Sequence, residues 1–259
     1  MLRALELIAR YIPSLSYKNL IIILIVPLTM ALYCTISFLT HDKTPNLTLW
    51  SWHRSDDLLF IDNNTAIASL IATIYIDLDK IKIMPRTNTL TTAANSFIIP
   101  VFRLEMKAKG KLNAKSLTDL SNIILSASKP RQLIQLDFDA TYNQRKIYSQ
   151  LIETLVKNNR KISITALSSW CMFDNWIDKL SIEYAVPMVY QGRRENQDIR
   201  RVKKFFTDNK NWRSKKCQNY IGLMTDDVLT VPTNFNIFLF NKDKWNKETY
   251  YKITKNIQS

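Results

Sequence analysis

The stretch IQLDFDATYNQ, Ile134 to Gln144, decides how the rest of the chain is read. Its first half alternates. Ile134, Leu136 and Phe138 share one face of a strand, and Gln135, Asp137 and Asp139 share the other. An apolar face turned toward helices, with a polar face carrying two acids, fits the wall of a parallel barrel that opens at the carboxyl ends of its strands. Asp139 would stand at that open end. Two inward carboxylates are costly unless hydrogen-bonded, paired or used, so the same residues predict a core strand and a candidate site.

Working outward, eight strand candidates emerge from alternating and β-branched runs: Thr48–Trp52, Ala66–Ile76, Phe97–Glu105, Leu133–Asp139, Lys161–Leu167, Glu183–Tyr190, Asn219–Thr225 and Asn236–Asn241. Helix patterns lie between several of them. Leu117, Leu120, Ile123 and Ile124 form one face, with Ser116 and Asp119 as an N-terminal capping pair. Ile147, Leu151, Ile152 and Leu155 form another, ending in the polar run KNNRK. The first two connections are too short or irregular for complete helices. The pattern predicts an α/β fold, a TIM-barrel-like (β/α)8 that is irregular or incomplete, with an open doubly wound sheet as the alternative.

Composition removes most other chemistries. At 259 residues and 46% hydrophobic, the chain can bury the core of one large domain or two small ones. Only 3 glycines and no fixed-period repeat exclude collagen-like, glycine-rich and solenoid classes. Cys34, Cys171 and Cys217 are too few for a disulfide scaffold, and neither CxxC nor HExxH occurs. With His41 and His53 as the only histidines, neither a histidine metal site nor a Ser-His-Asp triad is expected. No metal or cofactor is implied, and the catalytic inventory reduces to carboxylates.

The N-terminal region points to a membrane. Leu20 to Thr40 is uncharged and apolar over about the 20 residues that cross a bilayer. Arg3, Arg10 and Lys18 precede it, whereas Lys43 and Arg54 are the only nearby basic residues that follow. The positive-inside rule makes residues 1–19 a cytoplasmic tail, 20–40 a transmembrane signal anchor and 41–259 a domain outside. A cleaved signal would end in small residues, which Leu32-Tyr33-Cys34 does not supply. In an oxidising compartment Cys171 and Cys217 can pair, although one follows the fifth strand and the other precedes the seventh, nominally at opposite ends of a barrel.

Candidate site residues gather at strand ends. Arg103 and Glu105 share one face at the end of the third strand and can partner Asp137 and Asp139. A buried Arg–Asp network that only fixes the barrel competes with a functional role. Trp50, Trp52, Trp170, Trp176 and Tyr190 lie at or near strand ends, where flat rings stack on sugars or simply fill a core. The stretch GRRENQDIRRVKKFFTDNKNWRSKK, Gly192 to Lys216, combines basic residues with Phe205, Phe206 and Trp212, the composition of a nucleic-acid footprint. The anchor places it outside the membrane, so no nucleic acid is expected. Most of its charges read as the solvated face of a helix whose Val202, Phe205 and Phe206 point inward. Arg193 and Arg194, directly after the sixth strand, would rim the mouth and favour an anionic ligand.

The runs LWSWHRSDDLLFID, IIPVFRLE, IQLDFDATYNQRKIYSQLI, ISITALSSWC, IDKLSIEYAVPMVY and CQNYIGLMTDD, taken in order, resemble the bacterial domain-of-unknown-function family 3142 from about Leu47 to the C-terminus. The resemblance implies a barrel-like α/β domain in the bacterial cell envelope, here on the periplasmic side of the inner membrane, and no particular activity. More distantly, the chain is similar to the family-18 glycoside hydrolases, chitinase-type barrels whose fourth strand carries D-x-x-D-x-D-x-E and whose sixth carries M-x-Y-D. Asp137 and Asp139 match the middle acids of the first motif, and Met188 and Tyr190 match the second. Ile134 stands at the first Asp, Thr141 at the catalytic Glu and Gln191 at the last Asp. That likeness implies a membrane-anchored protein that binds or cleaves an envelope or exported polysaccharide. Glu105 would act as acid, Asp139 as stabiliser or nucleophile and Asp137 as its orienting partner. Trp52, Trp170, Tyr190, Arg103, Arg193 and Arg194 would hold the sugar. The alternative is a non-catalytic glycan-binding or assembly factor on the same barrel.

Overall fold

The computed structural model describes residues 45–107, 112–129, 132–189, 204, 211–226 and 235–258. The predicted cytoplasmic tail and membrane anchor lie outside them. Among the described residues no helix is long and apolar enough to cross a membrane.

Among the described residues there are eleven strands: β1 (Leu47–Ser51), β2 (Asp56–Asp57), β3 (Thr65–Asp77), β4 (Lys80–Pro85), β5 (Leu90–Thr91), β6 (Ile98–Met106), β7 (Leu133–Asp137), β8 (Lys161–Leu167), β9 (Tyr184–Met188), β10 (Tyr220–Met224) and β11 (Asn236–Phe240). Eight of them, β1, β3 and β6 to β11, pair in parallel in chain order, and β11 returns to β1 to close the barrel. Each coincides with one of the strands expected from alternation, and closure sets aside the open sheet. The fourth expected strand stops two residues early. Ala140 N donates to Phe138 O at 2.8 Å, a local turn that takes Asp139 out of the ladder.

The α-helices of the described residues include α1 (Ala114–Ser126), α2 (Arg145–Lys157), α3 (Ser168–Phe173) and α4 (Lys247–Gln258). The periodic faces fall as expected: α1 buries Leu120 and Ile124, and α2 buries Tyr148, Leu151, Ile152 and Leu155. These meet Ile134, Leu136 and Phe138 in the core between barrel and helices. The expected Ser116–Asp119 capping pair is corrected. Asn113 is the N-cap, its Oδ1 accepting from Ser116 N at 2.8 Å, because the helix already begins at Ala114.

A second core fills the barrel itself, with Trp50, Ala68, Ile99, Val101, Tyr184, Val186 and Phe238. Tyr184 and Tyr220 stack at 4.0 Å near the amino ends of their strands. Higher up, the Trp50 indole crosses the interior and donates from Nε1 to Gln135 Oε1 at 2.7 Å. It lies against Gly222, where an added Cβ would come within 2.7 Å of the ring. A glycine is needed there for close approach.

The first two connections lack helices, as their lengths suggested. Ser51 at the end of β1 pairs with Ser69, yet β3 continues to Asp77 and then folds back as β4, with Asp77 opposite Lys80. The two-residue turn holds Leu78 at φ 55°. With β6 on its other side, β3 therefore carries a three-stranded wall above the barrel mouth.

Cys171 and Cys217 form a disulfide with Cα atoms 5.9 Å apart. The objection from opposite ends of the barrel fails. The short α3 leaves β8 at once and brings Cys171 to the turn Lys215–Cys217, where Ser214 N donates to Cys171 O at 3.2 Å.

Candidate functional site

Above the Trp50–Gln135 layer the inward residues become charged. Parallel register sets Arg103 beside Asp137, and Thr165 of β8 donates from Oγ1 to Asp137 Oδ1 at 2.6 Å. Arg103 Nε lies 3.0 Å from Glu105 Oε1 and 3.9 Å from Asp137 Oδ2. Arg103 and Glu105 are both more than a third exposed, so this is the open floor of a mouth and no dry internal network. Asp139, one residue past a buried Phe138, is exposed at the rim. The structure thus brings together Arg103, Glu105 and Asp137, with Asp139 near enough for Arg103 to act on its charge.

Burial raises the Asp137 carboxyl above the ordinary carboxylate range, with the Thr165 hydrogen bond and the Arg103 guanidinium opposing it and Asp139 and Glu105 adding to it. Asp139 is raised as well: desolvation on its protein-facing side outweighs the pull of Arg103. Two carboxyl groups at one mouth therefore hold their protons more tightly than free acids do.

A cleft of 340 Å³ opens beside this cluster, at the carboxyl ends of β1 and β11, lined by Trp50, Trp52, His53, Phe240, Lys242 and Trp245 among others. Trp52 is half-buried and meets Phe240 edge-on at 6.5 Å, leaving part of its ring toward the cleft. His53 joins the two regions. It lines the cleft, and its imidazole is pushed below its ordinary value by desolvation and then by Arg103 and Arg86, with Glu105 opposing.

The segment carrying Trp52 and His53 is held from below. Asp56 is buried; its Oδ2 accepts from Ser51 Oγ at 2.6 Å and its Oδ1 from Trp245 N at 3.1 Å. Arg86 lies 3.8 Å from that carboxylate and donates to Ser51 O, Ser69 Oγ and Arg54 O. Neither Asp56 nor Arg86 stood out in the sequence, because nothing in local pattern marks a partner thirty residues away. With only His41 and His53 in the chain, His53 carried no expected role, and nothing in the pattern of the fifth strand marked Thr165.

Trp170 is corrected. Its ring is buried in the outer core against Trp176, with centroids 5.1 Å apart, and presents no face to a sugar. The cause is α3, which starts immediately after β8 and turns the indole toward the helices rather than the mouth. Thr141, at the position of the family-18 glutamate, starts a helical turn, its N donating to Gln144 Oε1 at 2.8 Å. Trp212 of the basic stretch is buried, Nε1 donating to Tyr220 O at 3.1 Å. Tyr190, Arg193 and Arg194 lie outside the described residues. Among the described residues no group of three or more His, Cys, Asp or Glu is placed to hold a metal.

Compared with family models, with curated proteins and with solved structures, the chain matches none of them.

Proposed function

We propose that this chain is a membrane-anchored envelope protein whose barrel mouth binds an envelope or exported polysaccharide. The observation that carries this reading is the 340 Å³ aromatic-walled cleft set against the Arg103–Glu105–Asp137 cluster at the carboxyl end of a closed barrel. Ligand sites of such barrels form at that end. A sugar ring offers an apolar face to Trp52 and hydroxyl groups to carboxylates and guanidinium, and the site supplies both. The apolar run at 20–40 with its basic flank supports the anchor, and the Cys171–Cys217 disulfide supports an oxidising compartment.

Cleavage is the second reading, favoured by the raised carboxyl of Asp139 at the rim. In it Asp139, more weakly acidic than usual and open to solvent, donates the proton to the leaving oxygen. Glu105, tied to Arg103, supplies the second carboxylate, and Asp137 positions Arg103 from below.

The test is glycan binding by the full-length chain in detergent, with Trp52→Ala and Asp139→Asn beside the parent. Trp52→Ala is expected to weaken binding about tenfold, roughly 1.4 kcal/mol. Asp139→Asn keeps the fold, and abolishes release of reducing ends if cleavage occurs. A parent chain that retains no glycan refutes the proposal.

A further inference from the structure

We infer that the wall raised by β3, β4 and β6 is a second subsite, continuous with the mouth, that selects anionic polysaccharide through Tyr75 and Lys82. This rests on the glycan-binding reading above and names the substrate class.

Register fixes which side chains share the face turned toward the mouth. Thr73 lies beside Arg103 and Tyr75 beside Glu105 in the parallel pair, so Tyr75 is on the side of the charged cluster. In the antiparallel pair Met84 lies opposite Thr73, Lys82 opposite Tyr75 and Lys80 opposite Asp77. The face therefore runs outward from Arg103 and Glu105 to Tyr75, Lys82 and Met84. Tyr75 is 41% exposed and Met84 48%, large apolar groups left open to water on the face opposite the buried Ile74 and Ile76. Two residues along a strand cover about 7 Å, so Tyr75 stands about one sugar ring beyond the Arg103–Asp137 level.

The cations on this face outnumber its acids. Arg103 holds Glu105 at 3.0 Å, and Lys107 holds Asp77 at 2.6 Å. Lys80 lies opposite the same Asp77. Lys82 has no acidic partner among the described residues, and its cross-strand neighbour is Tyr75. An aromatic ring beside an unmatched ammonium suits a sugar that carries a carboxylate, sulfate or phosphate: the ring covers the sugar's apolar face, and the ammonium meets the anion. The net charge of +14 raises the local concentration of such polymers.

The experiment presents the full-length chain in detergent to an array of neutral, uronate-bearing, sulfated and phosphorylated glycans, then measures affinity for the best-bound one. Anionic glycans are expected to dominate. Lys82→Gln should weaken them about tenfold and lower the salt dependence, and Tyr75→Ala should weaken them similarly, with melting temperatures unchanged because both residues are exposed. Trp52→Ala marks the mouth independently. Should the chain bind neutral glycans as tightly, or Lys82→Gln bind like the parent while Trp52→Ala loses affinity, the wall is no subsite although the mouth still binds sugar. Should the parent bind no glycan, both proposals fall.

Discussion

Between β6 and β9 the barrel is backed by interposed helices, whereas between β1 and β6 no helix is interposed and the backing comes from strand, strap and the C-terminal α4. In the first sector α1 and α2 lay Leu120, Ile124, Leu151 and Ile152 over the β-strands, and burial of apolar area holds the layers together. In the second, the β3–β4 hairpin and the segment around Arg86 stand where an interposed helix would. Tyr250 of α4 packs on Phe60 and shares a hydrogen bond with Thr65, and a buried polar network around Asp56 adds to the apolar core. The helical sector is generic scaffold. The irregular sector carries Trp52 and His53, whose segment is held by a few named hydrogen bonds, and, with the end of β6, the wall.

The largest effect is expected where those bonds converge. Arg86 and Arg145 are each paired with an aspartate, one in each sector. The Arg86 side chain is 8% exposed and that of Asp56 2%, whereas Arg145 and Asp174 are 21% and 29% exposed. Removing Arg86 leaves the Asp56 carboxylate buried beside Ser51 and Trp245 without its counter-charge. Arg86→Met is expected to cost about 3–5 kcal/mol. Arg145→Met releases a carboxylate that water reaches, together with a guanidinium 4.7 Å from the Trp176 ring, and should cost about 1 kcal/mol. Denaturant titration of both variants measures the contrast. Equal losses would mean that the two sectors are held in the same way.

The same division decides what could be read from the sequence. The eight barrel strands were legible because each buries alternate residues in a period of two, and α1 and α2 because Leu120, Ile124, Leu151 and Ile152 repeat at helical spacing. The β3–β4 hairpin was not, since its turn is Leu78-Asp79 in place of a glycine or asparagine pair, with leucine forced to φ 55° by the strands on either side. At the site, the cluster of Arg103, Glu105 and Asp137 followed from strand parity alone. The orientation of Trp170 did not, because it depends on how soon a helix begins after β8. Long-range pairs such as Arg86 with Asp56 leave no periodic trace.

A middle-sized effect is expected where the sectors are joined. Trp50 from β1 reaches across the interior to Gln135 on β7, and only Gly222 leaves room for its ring. In Gly222→Ala the new methyl would meet Trp50 Cη2 at 2.7 Å and Cζ3 at 3.0 Å, with the Pro187 carbonyl at 3.3 Å behind it. Such overpacking costs about 1–3 kcal/mol. Because the indole must move, its bond to Gln135 should weaken as well, and near-ultraviolet circular dichroism should change along with the melting temperature. A variant with unchanged stability and spectrum would show that Trp50 has room to spare, and the junction would then be looser than the geometry implies.

The smallest effect concerns Asp137, at the seam between the wall and the helical sector. Asp137→Asn does not strand Arg103, which is partly exposed and keeps Glu105 at 3.0 Å, and the asparagine oxygen can still accept from Thr165 Oγ1. What changes is pH dependence. Burial raises the folded-state pKa of Asp137 above its unfolded value, so the folded chain binds this proton more tightly than the unfolded chain does. Its contribution to stability is fully present below the ordinary carboxylate range and is lost as pH rises through the raised folded value. The parent should therefore gain stability from this residue on mild acidification, and Asp137→Asn, neutral throughout, should lack that component. Denaturation curves taken at intervals from neutral pH down to the ordinary carboxylate range, for parent and variant together, give the difference directly, because contributions from groups that do not interact with Asp137 cancel. A difference that stays flat with pH would mean that Arg103 and Thr165 offset the burial of Asp137, and the mouth would then hold its charge as comfortably as water does.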